Sequence, residues 1–367
     1  MSKYVQLSAV EQRFVKDHGP VTTSIYKGLD YNQIMVARIN ADMSLAYRQQ
    51  PSDFIADKWF PLVKVDQISG LVPRWGIGTF FTDYVQEWRN GTALPQGDIF
   101  LDTHIQYVCK RYACEIPLTD DIVAIADPGI DPAFATTAFL TDVMQLHKER
   151  VVAGAYFQSS DTGGSNVWGT NWNGVDTKGA GEGEFVKFDN YTQSDPRQTF
   201  KDVKLAIKKL TGKTPNTAVM GEQVFEALRI HPQLIQWYQT GANTIRNITE
   251  LNEAALAQAL GIDNILVGRA MYNKSPPTDT PELDWIYGGH VWVGYVDTPG
   301  VMKPIAGVNL TFTEPLGGFD TAFTVVPDLR THAEYHQAFQ CYDPKILAPG
   351  LGAMLANAIG SEEGSGP

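Results

Sequence analysis

The apolar and polar positions of this 367-residue chain fall into stretches of different period. Residues 1 to about 50 mix short apolar steps with Gly19, Pro20 and Gly28 and carry no continuous helical stripe, which predicts an extended arm with short helical pieces. From Asp53 to Pro117 the pattern becomes strand-like. Residues 59–65 and 104–116 have the β-branched and aromatic content of strands, and the stretch between them is punctuated by Pro73, Gly76, Gly78, Asn90, Gly91, Pro95 and Gly97. Two strands flanking a long, turn-rich excursion predict a protruding β-hairpin.

Residues 131–157 carry the strongest helical signal. Asp131 suits the cap and Pro132 the first helical position. Phe134, Ala138, Val143, Leu146, Val151, Val152, Ala155 and Tyr156 supply an apolar face, with Asp142, Lys148, Glu149 and Arg150 assigned to the others. Such a helix spans roughly 37 Å at about 1.5 Å per residue. Residues 159–184, dense in Gly, Asn, Ser and Thr, predict a long loop.

A second organised region follows. Ser194, Asp195 and Pro196 open a helix with the stripe Phe200, Val203, Ile207 and Leu210, stopped by Gly212. Strand 217–220, helix 222–230 ended by His231 and Pro232, helix 250–260 capped by Thr249 and closed by Gly261, and strand 264–268 come next. Strands over 284–296, 309–314 and 321–339 finish the pattern, and the polar, glycine-rich end 360–367 is expected to be disordered. Mixed helices and strands without a repeat predict an α+β fold.

Composition changes this picture little. Hydrophobic residues at 43% and charged residues at 19% describe a globular chain. The net charge of −12 repels phosphate backbones, so sequence-specific nucleic-acid binding is disfavoured while enclosing DNA is still permitted. Three cysteines, Cys109, Cys114 and Cys341, lack metal-ligand spacing and fit a reducing compartment. No run of eighteen apolar residues and no signal peptide is present, so no membrane association is expected.

The candidate chemistry is weak at each place. Gly212, Lys213 and Thr214 carry the last letters of a phosphate-binding loop, but Ile207 stands where its first glycine belongs and the segment closes a helix instead of opening one. His332 and His336 are four apart as in zinc proteases, yet Ala333 occupies the place of the needed Glu and the segment alternates like a strand. Asp120, Asp121 and Asp127 could do acid and base work, although carboxylates near a helix start also serve its dipole. Trp168 and Trp172, among Asn166, Asn171 and Asn173, could stack on a sugar or bury against another subunit, and the interface is the favoured alternative. No catalytic residue, cofactor site or metal site is expected.

Three segments are similar to the major capsid proteins of tailed bacteriophages, the Hong Kong 97 family. They are FIADKWFPLVKVDQISG at 54–70, KLAIKKLTGKTPNTAVMGEQVFEALRIHPQL at 204–234, and LNEAALAQALGIDNILVGRAMYN at 251–273 paired with IYGGHVWVGYV at 286–296. The resemblance covers roughly residues 53 to 345. It implies an N-arm at 1–52, an E-loop with its base strands at 53–117, and a P-domain at 118–199 whose spine helix is 131–157. An A-domain follows at 200–317, P-domain strands return at 318–350, and 351–367 is a C-terminal tail.

The implied function is a structural, non-enzymatic shell protein. It would form hexamers and pentamers of an icosahedral head around double-stranded DNA, assembled in the host cytoplasm and located in the virion. Implied partners are further copies of itself, a portal, and in some shells a decoration protein. The hairpin aromatics Trp75, Phe80, Phe81, Tyr84 and Trp88, together with Trp168 and Trp172, are then expected at contacts between subunits.

Two features set the chain apart within that family. Some members cross-link through an E-loop lysine, but no lysine lies between Lys64 and Lys110, so no isopeptide bond is expected at this hairpin's tip. The short stretch ahead of residue 60 leaves no room for a fused scaffold, which implies a separate scaffolding protein. Two rivals stay open from sequence: an encapsulin-like nanocompartment with the same fold, and a carbohydrate-active hydrolase using the Trp168–Trp172 loop.

Overall fold

The structure, a computed structural model, describes residues 49–75, 78, 81–90, 94, 97, 101–125, 132–158, 167–177, 183–241, 249–276, 280–300 and 303–360. The expected arm before residue 49, the Asp131 cap, Phe80 and the last seven residues lie outside them. A short helix, α1 (Ala56–Trp59), precedes strand β1 (Leu62–Val65). Residues 59–65 are thus not one strand. Trp59 closes the helical turn, because a distant carboxylate caps the amides of Ile55 and Ala56, and Pro61 separates that turn from the strand.

Strands β2 (Ser69–Trp75) and β3 (Leu101–Val108) pair antiparallel, from Ser69 opposite Val108 to Trp75 opposite Leu101, and form the expected hairpin. Strand β4 (Lys110–Thr119), helix α2 (Asp120–Ile125) and the 25-residue helix α3 (Pro132–Tyr156) follow. Within the supposed loop 159–184 lies strand β5 (Thr170–Val175), and β6 (Glu184–Val186) begins at its end. The local sequence TNWNGV has poor strand propensity. Its partners are remote: β5 lies parallel to β15 (Gly352–Ala356), with Trp172 opposite Leu355.

Helix α4 (Pro196–Thr211) follows its sequence signals. The Asp195 side chain accepts from the Gln198 amide at 3.1 Å, and Gly212 ends the helix at φ +69° with its N–H on Lys208 O. Phe200, Val203 and Ile207 are buried, whereas Leu210 is exposed. Next come β7 (Thr217–Gly221), α5 (Glu222–Arg229) and α6 (Pro232–Gly241). Pro232 ends one helix and opens the next, a double role the sequence expectation credited only as a stop.

Helix α7 (Glu253–Leu260) is capped by Asn252, which accepts from the Ala255 amide at 2.8 Å, and not by Thr249. Strands β8 (Asn264–Gly268), β9 (Met271–Asn273), β10 (Leu283–Trp285), β11 (Val291–Gly294), β12 (Gly307–Phe312), β13 (Thr321–Asp328) and β14 (Ala333–Ile346) complete the list ahead of β15. The single strand expected over 284–296 is therefore two. Gly288 and Gly289 interrupt it, and its halves join different sheets.

The chain divides into two units. The larger contains 51–111, 146–320 and 341–367. Its six-stranded sheet has the order β6-β5-β15-β11-β7-β8. Helices α4, α5 and α7 bury Phe200, Val203, Ile207, Val224, Leu228 and Leu256 in one cluster with Val291, Val293 and Leu355 of that sheet. Residues 352–356, expected in a flexible C-terminal tail, are a fully buried internal strand instead. A second cluster gathers around Trp59, and a third packs Tyr107 and Cys109 on Val308, Leu310 and Cys341, where β12 pairs with β1 and with residues 342–346.

The described part of the smaller unit comprises 49–50, 112–125, 132–145 and 321–340. There β13 pairs antiparallel with residues 333–340 of β14. Its small core joins Leu140, Met144 and Ala338 to Tyr112, Cys114 and Ile116. Of the expected apolar face of α3, Phe134 is exposed while Val152 is buried and Leu146 and Tyr156 pack on the second cluster; Leu140 and Met144, which the expectation left out, are buried as well.

Candidate assembly surfaces

The hairpin is anchored at its base, and several apolar side chains beyond the base are exposed. Tyr107 and Cys109 are buried in the third cluster, the Cys109 amide bonds Ile68 O at 2.8 Å, and the Val108 amide bonds Asp343 Oδ2 at 2.9 Å. Farther out, Leu71 is 62% exposed, Phe81 66% and Val85 85%. Trp88 and Leu94 are also exposed. An Asx turn at Asp83 and a Thr82 hydroxyl on Gly78 O shape the excursion locally.

Of the aromatics expected at contacts between subunits, Phe81 and Trp88 are exposed, Tyr84 is half-buried beside Gly97, and Trp75 closes β2. The Phe81 ring lies over Gly212: a Cβ added at that glycine would come within 2.3 Å of it. Apolar surface of this extent is costly for a chain that remains alone.

Trp168 belongs to a different environment. It is 4% exposed, its ring centroid lies 5.2 Å from that of Trp292 and 6.3 Å from that of Trp59, and its Nε1 donates to Tyr156 O at 2.8 Å. Trp172 sits on β5 and packs against the first core cluster. Trp168 is thus covered by its own chain, and Trp172 is half-buried against it. Trp168 therefore cannot serve as a sugar-stacking platform, because a ring buried in a core offers no open face.

Behind the Trp59 cluster lies a group that sequence reasoning placed on a solvent face. Glu149 is 1% exposed and accepts from the amides of Ile55 at 2.8 Å and Ala56 at 2.9 Å and from the Tyr287 hydroxyl at 2.8 Å. Burial pushes its carboxyl up to about 7 against the lowering effect of these three donors, and pushes Tyr287 well above its ordinary range. The preceding Lys148 bonds both oxygens of Asp57 at 3.1 Å. Two successive residues of α3 therefore grip α1 where it leads toward the hairpin. A local signal existed: Lys148, Glu149 and Arg150 are consecutive, about 100° apart on a helix, too wide a spread for one solvent face.

The remaining candidates make no reactive constellation. Asp120 and Asp121 open α2, and Asp127 lies outside the described residues. His332 occupies a turn at φ +51° beside Asp120, whereas His336 is buried on β14, so no helix aligns them. Among the described residues no group of three potential metal ligands occurs. Ser194 Oγ and His231 Nε2 meet at 2.8 Å, a nucleophile-and-base pairing in outline. Both residues are wholly buried, and burial lowers the His231 pKa, so the pair ties α4 to the following helices out of reach of any substrate. An open cleft of about 530 Å³ is lined by Arg229, Glu250, Glu253 and Arg269, whose charges are already paired with one another or with Glu222 and Glu226.

No family model matches the chain. The major capsid protein of Burkholderia phage BcepMu is 26% identical over 263 residues, covering 69% of this chain and 74% of that protein. A phage-related protein from Bordetella bronchiseptica RB50 superposes with a TM-score of 0.58 at 19% identity, over 87% of this chain and 96% of the other. The capsid structure of cyanophage P-SCSP1u gives 0.52 at 12% identity, over 85% and 89%. At these identities the superpositions establish a common fold, that of phage capsid subunits, as the resemblance in the sequence implies.

Proposed function

We propose that this chain is the major capsid protein of a tailed bacteriophage, a structural subunit that assembles with copies of itself into the head. The observation that carries this reading is the combination of a phage-capsid fold with a hairpin that is anchored in its own chain and exposes apolar side chains beyond the anchor. The curated relative from phage BcepMu, a major capsid protein, points the same way.

In this reading residues 1–52 are the N-arm, 53–117 the E-loop and its base, 118–199 with 318–350 the P-domain, and 200–317 the A-domain. A-domains meet around the axes of hexamers and pentamers. The hairpin crosses a neighbouring subunit, and Phe81 and Trp88 find their cover there. The interior surface encloses double-stranded DNA without reading its sequence, consistent with the net charge of −12. A separate scaffolding protein, a portal and, on some shells, a decoration protein complete the partners, with assembly in the host cytoplasm. The hairpin has no lysine for a covalent cross-link, so buried contacts carry the reinforcement.

Expression of the chain with its phage's scaffolding protein, followed by size-exclusion chromatography and negative-stain microscopy, tests the proposal. Hollow particles of megadalton mass are expected. A monomer or dimer that persists at every concentration and in infected-cell lysates would overturn it.

A further inference from the structure

Strand β13 has one neighbour, β14, in unbroken register from Thr321 opposite Gln340 to Asp328 opposite Ala333. Among the described residues its other edge pairs with nothing. Pro327 fixes the parity of that edge. Proline has no N–H, so in a paired strand its nitrogen faces away from the partner. Odd-numbered Thr321, Phe323 and Val325 therefore turn their N–H and C=O groups outward, while Ala322, Thr324 and Val326 bond β14.

This outward edge lacks the usual protection. Residues 321–326 contain no charge, and no bulge interrupts the pairing with β14. Phe323, Val325 and Val326 are 44%, 49% and 42% exposed. Natural sheets guard such edges with lysine, bulges or cover, because a bare apolar edge pairs with other strands. Here a proline stands only at the end of the stretch, which bounds a partner's reach without blocking it.

We propose that β13 pairs with β13 of a second copy, antiparallel across a two-fold axis, as a contact that joins subunits. This rests on the shell reading above. The edge is self-complementary: no like charges meet when two copies of 321–326 run antiparallel, and a two-fold contact closes on itself. Centring the register on Phe323 sets Thr321 opposite Val325 of the other copy and keeps Pro327 outside the paired stretch. Each outward residue then exchanges an N–H and a C=O with its opposite number. Phe323 stands across from Ala338, which lies in the small core with Leu140 and Met144, so the two Phe323 rings extend that apolar layer across the axis.

The test uses Phe323→Cys in assembled particles. Opposed residues of this kind have Cα atoms about 5.5 Å apart, within disulfide range. Mild oxidation is expected to give a reducible dimer on denaturing gels, well above the background of wild-type particles with their native cysteines. Val326→Cys, on the other parity and opposite a different residue, is expected to stay near that background.

Phe323→Lys is expected to abolish particles while leaving the unfolding transition of the unassembled subunit unchanged, since it sets two ammonium groups face to face. Intact particles in which Phe323→Cys gives no dimer above the wild-type background overturn the proposal and leave the shell reading standing. Absence of particles from the wild type overturns the shell reading, and the same cross-link measured on concentrated subunits then decides whether β13 pairs.

Discussion

The six-stranded sheet and the β2–β3 hairpin use the same kinds of residue, yet one is covered by its own chain and the other is not. In the sheet, Val291, Trp292 and Val293 and the facing Ala353, Met354 and Leu355 are at most 1% exposed. In the hairpin, Leu71, Val85 and Trp88 face outward. The free energy of the first region is a property of the single subunit. That of the second is realised only when another surface covers it. A shell subunit needs both: a body that holds its shape and an element whose apolar surface is kept for a neighbour.

The largest expected effect lies in the body. Trp59→Ala empties the centre of an aromatic cluster whose ring centroids lie 4.8 Å from Phe60 and 5.3 Å from Trp292. It should cost the subunit about 3–5 kcal/mol in denaturant unfolding, as large-to-small changes in cores do. A loss below about 1 kcal/mol would mean that this cluster is not the closed core described above.

A smaller effect is expected at the grip between α3 and α1. Glu149→Gln leaves one acceptor oxygen for the two amides that the carboxylate serves, costing about 1–3 kcal/mol. The pH dependence has a definite sign. The folded carboxyl titrates at about 7, above the ordinary value of about 4.3, so between these values the folded state holds a proton that the unfolded chain has released. The stability it contributes is fully present below about pH 4 and is lost as pH rises through about 7. Urea midpoints should fall between pH 5 and pH 8, and less steeply in Glu149→Gln. Equal slopes would remove Glu149 as the source.

The smallest effect on the subunit, and the sharpest test of the comparison, is at the hairpin. Val85→Asp and Leu94→Asp should each change subunit stability by less than about 0.5 kcal/mol, as exposed positions do. Both should lower the yield of particles seen by electron microscopy. A pair of variants that unfolds the subunit, or assembles as well as the wild type, would erase the distinction between the two regions.

Much of the body was legible in the residues. Helix α4 runs between Asp195 and Gly212 because a side-chain acceptor and a left-handed glycine act within one turn, and α3 begins at Pro132 for a similarly local reason. Strands β5 and β15 were not legible. Asn171, Trp172 and Asn173 read as loop, and Gly352–Ala356 as the start of a tail, since the two become neighbouring strands by pairing with each other across some 180 intervening residues. The candidate surface was half legible. The β2–β3 hairpin followed from alternation and turn residues, and Phe81 and Trp88 are exposed on it, but the side chain of Trp168 belongs to the core.

By itself, then, the sequence determined the helices with local caps, the hairpin, the acidic charge and the family resemblance, because each depends on residues close together or on composition. Only the tertiary structure decided which tryptophans are buried, that Glu149 faces inward to hold α1, and that β13, among the described residues, pairs along one edge alone. Those outcomes depend on which distant segment supplies a hydrogen bond or an apolar face, and no local pattern carries that information.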